Sequence, residues 1–168
     1  MPAATAHSYL IALGSNVRHV RYGSPRKVLA AALERLEAEG IKVLASATPV
    51  ETAPVGPSIR RYANSAALIA TDLDPPELLA LFKRIEREFG RRIGGQRWRA
   101  RVLDLDIVLW GGGCFASPEL TIPHPLFRKR RFVLAPALEV AADWRDPLSG
   151  LSVRQLHARL TRPRALPR

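Results

Sequence analysis

The sequence predicts helices packed on a β-sheet, a layer of the α+β or α/β class. Two observations predict it. Short apolar runs with strand character, at least four of them, alternate with amphipathic segments of helical spacing, and cap or turn residues punctuate the boundaries. At 168 residues and 47% hydrophobic content the chain suits one domain, 1–168, with a frayed tail at 161–168.

The elements follow in order. SYLIAL (8–13) reads as a buried strand that ends in the polar turn Gly14-Ser15-Asn16. Ser24 then caps a helix with Pro25 at its first position, the stripe Val28, Leu29, Ala32, Leu33, Leu36, and a stop at Gly40. Residues 41–48 return to strand character. From Thr48 to Arg61 three prolines and Gly56 break any periodicity, which predicts a loop of about a dozen residues, a length at which loops are often functional. A strand over 62–70 and a helix from Asp74-Pro75 to Gly90 follow, the helix with Leu78, Leu79, Phe82, Ile85 and Phe89 on one face. After the irregular segment 91–100 come a strand over 101–110, an extended piece near 120–122, and helical tendencies at 126–131, 136–142 and 152–160.

Charge narrows the class of partner. Lys and Arg number 26 against 15 Asp and Glu, a net +11, which favours polyanions: nucleic acid, anionic lipid or a phosphorylated small molecule. Cys114 is the only cysteine, so neither an intrachain disulfide nor a cysteine-rich zinc site is indicated. No run approaches the roughly 18 apolar residues of a membrane span. The N-terminus lacks a basic stretch before its apolar one, and the expected location is the cytoplasm.

The chemistry concentrates in RWRARVLDLDIVLW (97–110). Side chains alternate along a strand, so Asp104 and Asp106 point to one face with Cα atoms about 6.6 Å apart. Two carboxylates there repel each other and lose hydration unless something positive compensates. Two candidates fit: a structural network with Arg97, Arg99 and Arg101, or Mg²⁺, which takes one or two carboxylates and fills its shell with water and phosphate oxygens. Downstream, TIPHPLFRKRRFVL (121–134) holds His124 between two prolines ahead of four consecutive basic residues, Arg128 to Arg131. This run fits either a solvated helix face or a grip on phosphate.

These residues carry a resemblance. Arg97-Trp98-x-x-Arg101-x-x-Asp104-Leu105-Asp106-Ile107-Val108 with Pro123-His124-Pro125 downstream, preceded by YLIALGSN (9–16), ETAPVGPSIRRYANSA (51–66) and RIEREFGR (84–91), resembles the 6-hydroxymethyl-7,8-dihydropterin pyrophosphokinases of folate biosynthesis. The resemblance implies a ferredoxin-like α+β sandwich, its core at about residues 9–160, that moves pyrophosphate from ATP to the pterin hydroxymethyl group and releases AMP. It makes Asp104 and Asp106 ligands of two Mg²⁺ ions. Tyr62 and Phe132 would stack on the pterin, Asn64 would bond its edge, and Thr52, Pro54 and Val55 would line the same pocket. Arg91, Arg97, Arg101, His124 and Arg130 would meet ATP phosphates or the loop closing over them, with Trp98 on that loop. Glu86, Ile107 and Thr121 fall at nucleotide-side positions. A monomer with small-molecule substrates, no membrane and no nucleic acid is the expectation.

The chain departs from the family pattern at Arg99 (usually glycine), Ile93 (often arginine), Ala53 (often proline) and Val17-Arg18-His19. Two other readings follow: a relative that acts on another pterin or is inert, and a single-strand nucleic-acid module, a function found on the same fold class.

Overall fold

The computed structural model describes residues 6–16, 19, 21–52, 62–90 and 102–167. A central antiparallel sheet forms from β1 (His7–Ser15), β2 (Lys42–Ser46), β4 (Tyr62–Thr71) and β5 (Asp104–Trp110) in the order β2-β4-β1-β5, with β3 (Val50–Thr52) added to β4. Helices α1 (Pro25–Ala38) and α2 (Pro75–Gly90) connect β1 to β2 and β4 to β5. This βαββαβ order, with each crossover returning to the same antiparallel sheet, is the ferredoxin-like α+β fold. A two-stranded ribbon, β6 (Phe115–Ala116) and β7 (Thr121–Ile122), leads to a 3-10 turn (Phe127–Lys129), α3 (Arg131–Ala141) and α4 (Val153–Thr161).

Period-2 alternation sorts the sheet residues between two cores. Tyr9, Ile11, Leu13, Leu105 and Ile107 pack with Val28, Leu29, Leu36, Leu78, Phe82 and Ile85 of α1 and α2. Leu10, Ala12, Ala66 and Leu109 pack with Phe127, Val133, Leu134, Ala137, Val153 and Leu156 below α3 and α4. The sheet is therefore covered on both faces.

Local chemistry explains the helix ends. Ser24 Oγ accepts from the Lys27 N–H, Pro25 supplies the fixed φ of a first position, and Gly40 at φ +85° takes the left-handed geometry that stops the chain after α1. Asp74 and Glu77 cap α2 reciprocally: the Glu77 N–H donates to Asp74 Oδ1 (3.0 Å) and the Asp74 N–H to Glu77 Oε2 (2.8 Å). Leu33 and Leu79 are only partly buried, while Leu81 joins the α2 core face.

Three expectations change, and the sheet adds one irregularity. Strand β1 runs on through Gly14 to Ser15, because Gly14 pairs with Asn64 and with Asp104 instead of turning. Within the expected loop 48–61, Val50–Thr52 forms β3 against Tyr62–Asn64. Helix α3 continues through Pro136, since burying Val133, Leu134 and Ala137 outweighs the hydrogen bond proline cannot donate. Finally, the β1–β5 register slips between Leu10 and Ile11, leaving Val108 as an extra residue. Leu109 thereby joins the face of Asp104 and Asp106 rather than that of Leu105 and Ile107.

Arg128 makes a forked pair with Asp146, Nε at 2.6 Å and Nη2 at 2.7 Å, and the Asp146 side chain is fully buried. Burial alone would raise the Asp146 carboxyl, but bonds from Arg128, Ser149 and the Leu148 N–H outweigh it and hold it at about 2. A lowered folded pKa gives stability that is present above the unfolded value of 3.8 and is lost as pH falls through about 2. Acid unfolding of the wild type should therefore include a loss of about 2 kcal/mol across that window. Asp146→Asn, followed by denaturant titration at several pH values, should be less stable at neutral pH and lack that part of the slope.

Candidate active site

The sheet end that carries Asp104 is concave because its central residues are small. Val50 of β3, Asn64 of β4, Gly14 of β1 and Asp104 of β5 lie side by side across four strands, and Ala66, Ala12 and Asp106 form the row beneath. Along β1 the residues on this face taper from Leu10 through Ala12 to Gly14. A Cβ on Gly14 would stand 3.2 Å from Asn64 Oδ1 and 4.0 Å from Asp104 Cβ, so the glycine makes room for both side chains. The start of α3 lies over this floor, and between them is a cavity of about 790 Å³. Its lining includes Thr52, Tyr62, Asn64, Asp104, Asp106, Arg130, Arg131 and Phe132. Tyr62 and Phe132 are 38% and 45% exposed, so both rings are available to a ligand rather than to the core.

The bulge at Val108 places the Pro-His-Pro segment. The Val108 carbonyl accepts from the His124 N–H at 3.0 Å, which docks that segment on β5 beside Asp106. His124 Nδ1 in turn accepts from the Leu126 N–H at 3.1 Å, and burial lowers the imidazole pKa. The neutral ring therefore carries its proton on Nε2. Burial first and Asp104 second push the Asp106 carboxyl up, against smaller downward pulls from His124, Arg130 and Lys83. Asp104 and Asp106 thus share one partly desolvated face, as alternation required.

Glu86 reaches the open edge of β5 from α2, where it accepts from the Leu105 N–H (3.3 Å) and pairs with Lys83 (3.1 Å). Burial raises its carboxyl pKa and Asp104 adds to the rise, with Lys83 opposing. Thr121 is exposed on β7. The Ile107 side chain is buried with α1 and α2 and does not line the cavity. Pro54, Val55, Arg91, Arg97, Trp98 and Arg101 lie outside the described residues, as do Val17, Arg18, Ala53, Ile93 and Arg99. Among the described residues no group of three or more His, Cys, Asp or Glu side chains could hold a metal unaided.

Ser15, Asn16, Val50 and Pro136, which were not among the expected contacts, also line the cavity, as does Arg131 of the basic run. The taper Leu10, Ala12, Gly14 on one strand face was the readable signal for its floor. Arg128 parts company with Arg130 and Arg131: it turns to Asp146 instead of the cavity.

The model of the family described as 7,8-dihydro-6-hydroxymethylpterin-pyrophosphokinase (HPPK) matches residues 10–142. The chain belongs to the HPPK family. The 2-amino-4-hydroxy-6-hydroxymethyldihydropteridine pyrophosphokinase of Synechocystis sp. is 36% identical over 150 residues, 89% of this chain and 74% of that protein. The enzyme of the same name from Haemophilus influenzae is 38% identical over 135 residues, 79% of this chain and 81% of that one. Plasmodium falciparum HPPK-DHPS superposes with a TM-score of 0.72 at 13% identity, over 92% of this chain and 45% of that longer one. At that identity the likeness is one of fold.

Single-strand binders of this fold class lay bases on an open sheet face. Here Leu10, Ala12, Ala66 and Leu109 on the carboxylate face lie under α3 and α4, so that part of the face is covered. No helix among the described residues is long and apolar enough to cross a membrane.

Proposed function

We propose that the chain transfers the pyrophosphoryl group of ATP to the hydroxymethyl group of 6-hydroxymethyl-7,8-dihydropterin, releasing AMP, and that the cavity between the sheet end and α3 is where this happens. The observation that carries the reading is one cavity with aromatic walls at Tyr62 and Phe132, an amide at Asn64 and a carboxylate pair at Asp104 and Asp106. A flat heteroaromatic ring needs aromatic walls and a few placed polar groups. Asn64 provides both a donor and acceptors for the edge of such a ring.

Two carboxylates on one face, beside arginines, suit a hard cation that completes its shell with water and phosphate oxygens. Asp104 and Asp106 would hold Mg²⁺, which when bound supplies charge neutralisation for the polyphosphate. Arg130 and the Nε2–H of His124 then donate to phosphate oxygens, while Tyr62 and Phe132 hold the ring so that its hydroxymethyl group lies toward Asp104 and Asp106. Glu86 keeps the edge of β5 in register by accepting from Leu105. Phosphoryl transfer asks mostly for positioning and charge stabilisation, so these roles suffice without a strong base.

The reading is tested by incubating the purified protein with ATP, Mg²⁺ and the pterin and following AMP. AMP should appear only with the pterin present, and in equal amount to pterin consumed. AMP release independent of pterin, or none, would overturn the assignment. Gly14→Ala probes the floor: the new methyl must displace Asn64 Oδ1 by a few tenths of an ångström. Pterin affinity should fall several-fold, about 1 kcal/mol, with ATP affinity unchanged. Unchanged pterin affinity would remove Asn64 from the contact.

A further inference from the structure

We propose that the Arg128–Asp146 ion pair is a positioning device for the active site, fixing the turn that presents Arg130 and Phe132 to the cavity. The inference rests on the function proposed for that cavity and adds residues that function did not use. Asp146 accepts four hydrogen bonds: from Arg128 Nε (2.6 Å) and Nη2 (2.7 Å), from Ser149 Oγ (2.6 Å) and from the Leu148 N–H (3.1 Å). Its own loop is braced, with its N–H donating to the Leu151 carbonyl (2.9 Å) and its carbonyl accepting from the Gly150 N–H (2.8 Å). The acceptor is therefore rigid. On the other side, the Arg128 guanidinium lies 4.8 Å over the ring of Phe127, which is buried beneath α3 and α4. The fork of the guanidinium sets direction as well as distance, which a point charge would not.

The turn needs such a hold. At one end it is docked by the His124 N–H on the Val108 carbonyl. At the other, Arg130 caps α3 without any side-chain hydrogen bond to the helix. The Leu126 N–H bond to His124 Nδ1 holds the turn only to the neighbouring Pro-His-Pro segment, while the fork from Arg128 ties it to the C-terminal loop. Two residues further on, Arg130 enters the cavity with its guanidinium 5.5 Å over the ring of Phe132. A rotation of the turn would carry the candidate phosphate contact and the candidate pterin wall together.

The pair stabilises the fold, but stability alone does not require the fixed direction that the fork imposes. The C-terminal loop thus lends the site a constraint from outside the central sheet and α3.

The test compares wild type, Arg128→Lys, Asp146→Asn and, as a control, Leu36→Ala, which opens a cavity under α1 away from the site. Melting temperatures are measured first, and KM and kcat for pterin and ATP are then measured well below the lowest melt. Arg128→Lys keeps the charge and loses the fork. It should stay folded while kcat/KM falls about tenfold or more, as small misplacements of reacting groups do. KM should rise for both substrates. Leu36→Ala should lose stability and keep its KM values. If Asp146→Asn does not fold, Arg128→Lys decides alone. Wild-type kinetics in the folded Arg128→Lys protein would overturn the inference while leaving the proposed function standing. A wild type that releases no pterin-dependent AMP would instead overturn the function.

Discussion

Asp106→Asn should abolish most turnover and leave the protein as stable as before, or slightly more so. Burial and the neighbouring Asp104 already work against the charge on Asp106, so folding gains nothing from keeping it. Catalysis does gain, because the carboxylate is a proposed ligand for Mg²⁺ beside the transferring group. The amide keeps the shape and loses the charge. If the loss is comparable to removing one oxyanion-hole donor, kcat for AMP release falls about 10²–10³-fold, roughly 3–4 kcal/mol. Melting temperature and turnover should be measured on one preparation. Wild-type turnover in the variant would take Asp106 out of the mechanism. Lost turnover with a large drop in melting temperature would make it structural.

Phe132→Ala should weaken pterin binding about tenfold or more and change ATP binding much less. The ring is 45% exposed at the first turn of α3, faces a cavity, and stands in the same lining as Tyr62. Losing one aromatic contact removes about 0.5–1.5 kcal/mol beyond the area it covers, and area adds to that. Because the side chain contributes little to either core, the melting temperature should barely move. Calorimetric titration with the pterin and, separately, with a nonhydrolysable ATP analogue separates the two affinities. Equal losses in both would mean that Phe132 serves chiefly to seat Arg130, whose guanidinium lies over its ring.

What the chain revealed before folding was what local rules govern. Ser24-Pro25 and Asp74 opened helices where capping chemistry requires, and Gly40 closed one through its positive φ. Alternation put Asp104 and Asp106 on one face, and the register on Gly14 and Ala12 agrees. The features that were not legible depend on partners distant in sequence. Strand β3 is three residues long between prolines, too short for a period, and exists because β4 extends past β2 and offers it an edge. The bulge at Val108 has no signature in LDLDIVLW, yet it moves Leu109 to the other face and docks His124. The four basic residues 128–131 read as one cluster, and only Asp146, 18 positions from Arg128, divides them into a structural residue and candidate site residues. Ile107, a position carried over from the family pattern, has its side chain in the α1–α2 core, which the carried-over pattern alone did not indicate.

The central claim is that this cavity moves two phosphorus atoms together onto a pterin oxygen. Following label from ATP marked separately in the α- and β-phosphates tests it most directly, in the presence of Mg²⁺ and hydroxymethyl-dihydropterin. The β-label should leave with the pterin, the α-label should remain in AMP, and neither should appear as orthophosphate. A β-label found in ADP, with one phosphate on the pterin or free in solution, would mean attack at the terminal phosphorus and would contradict the claim.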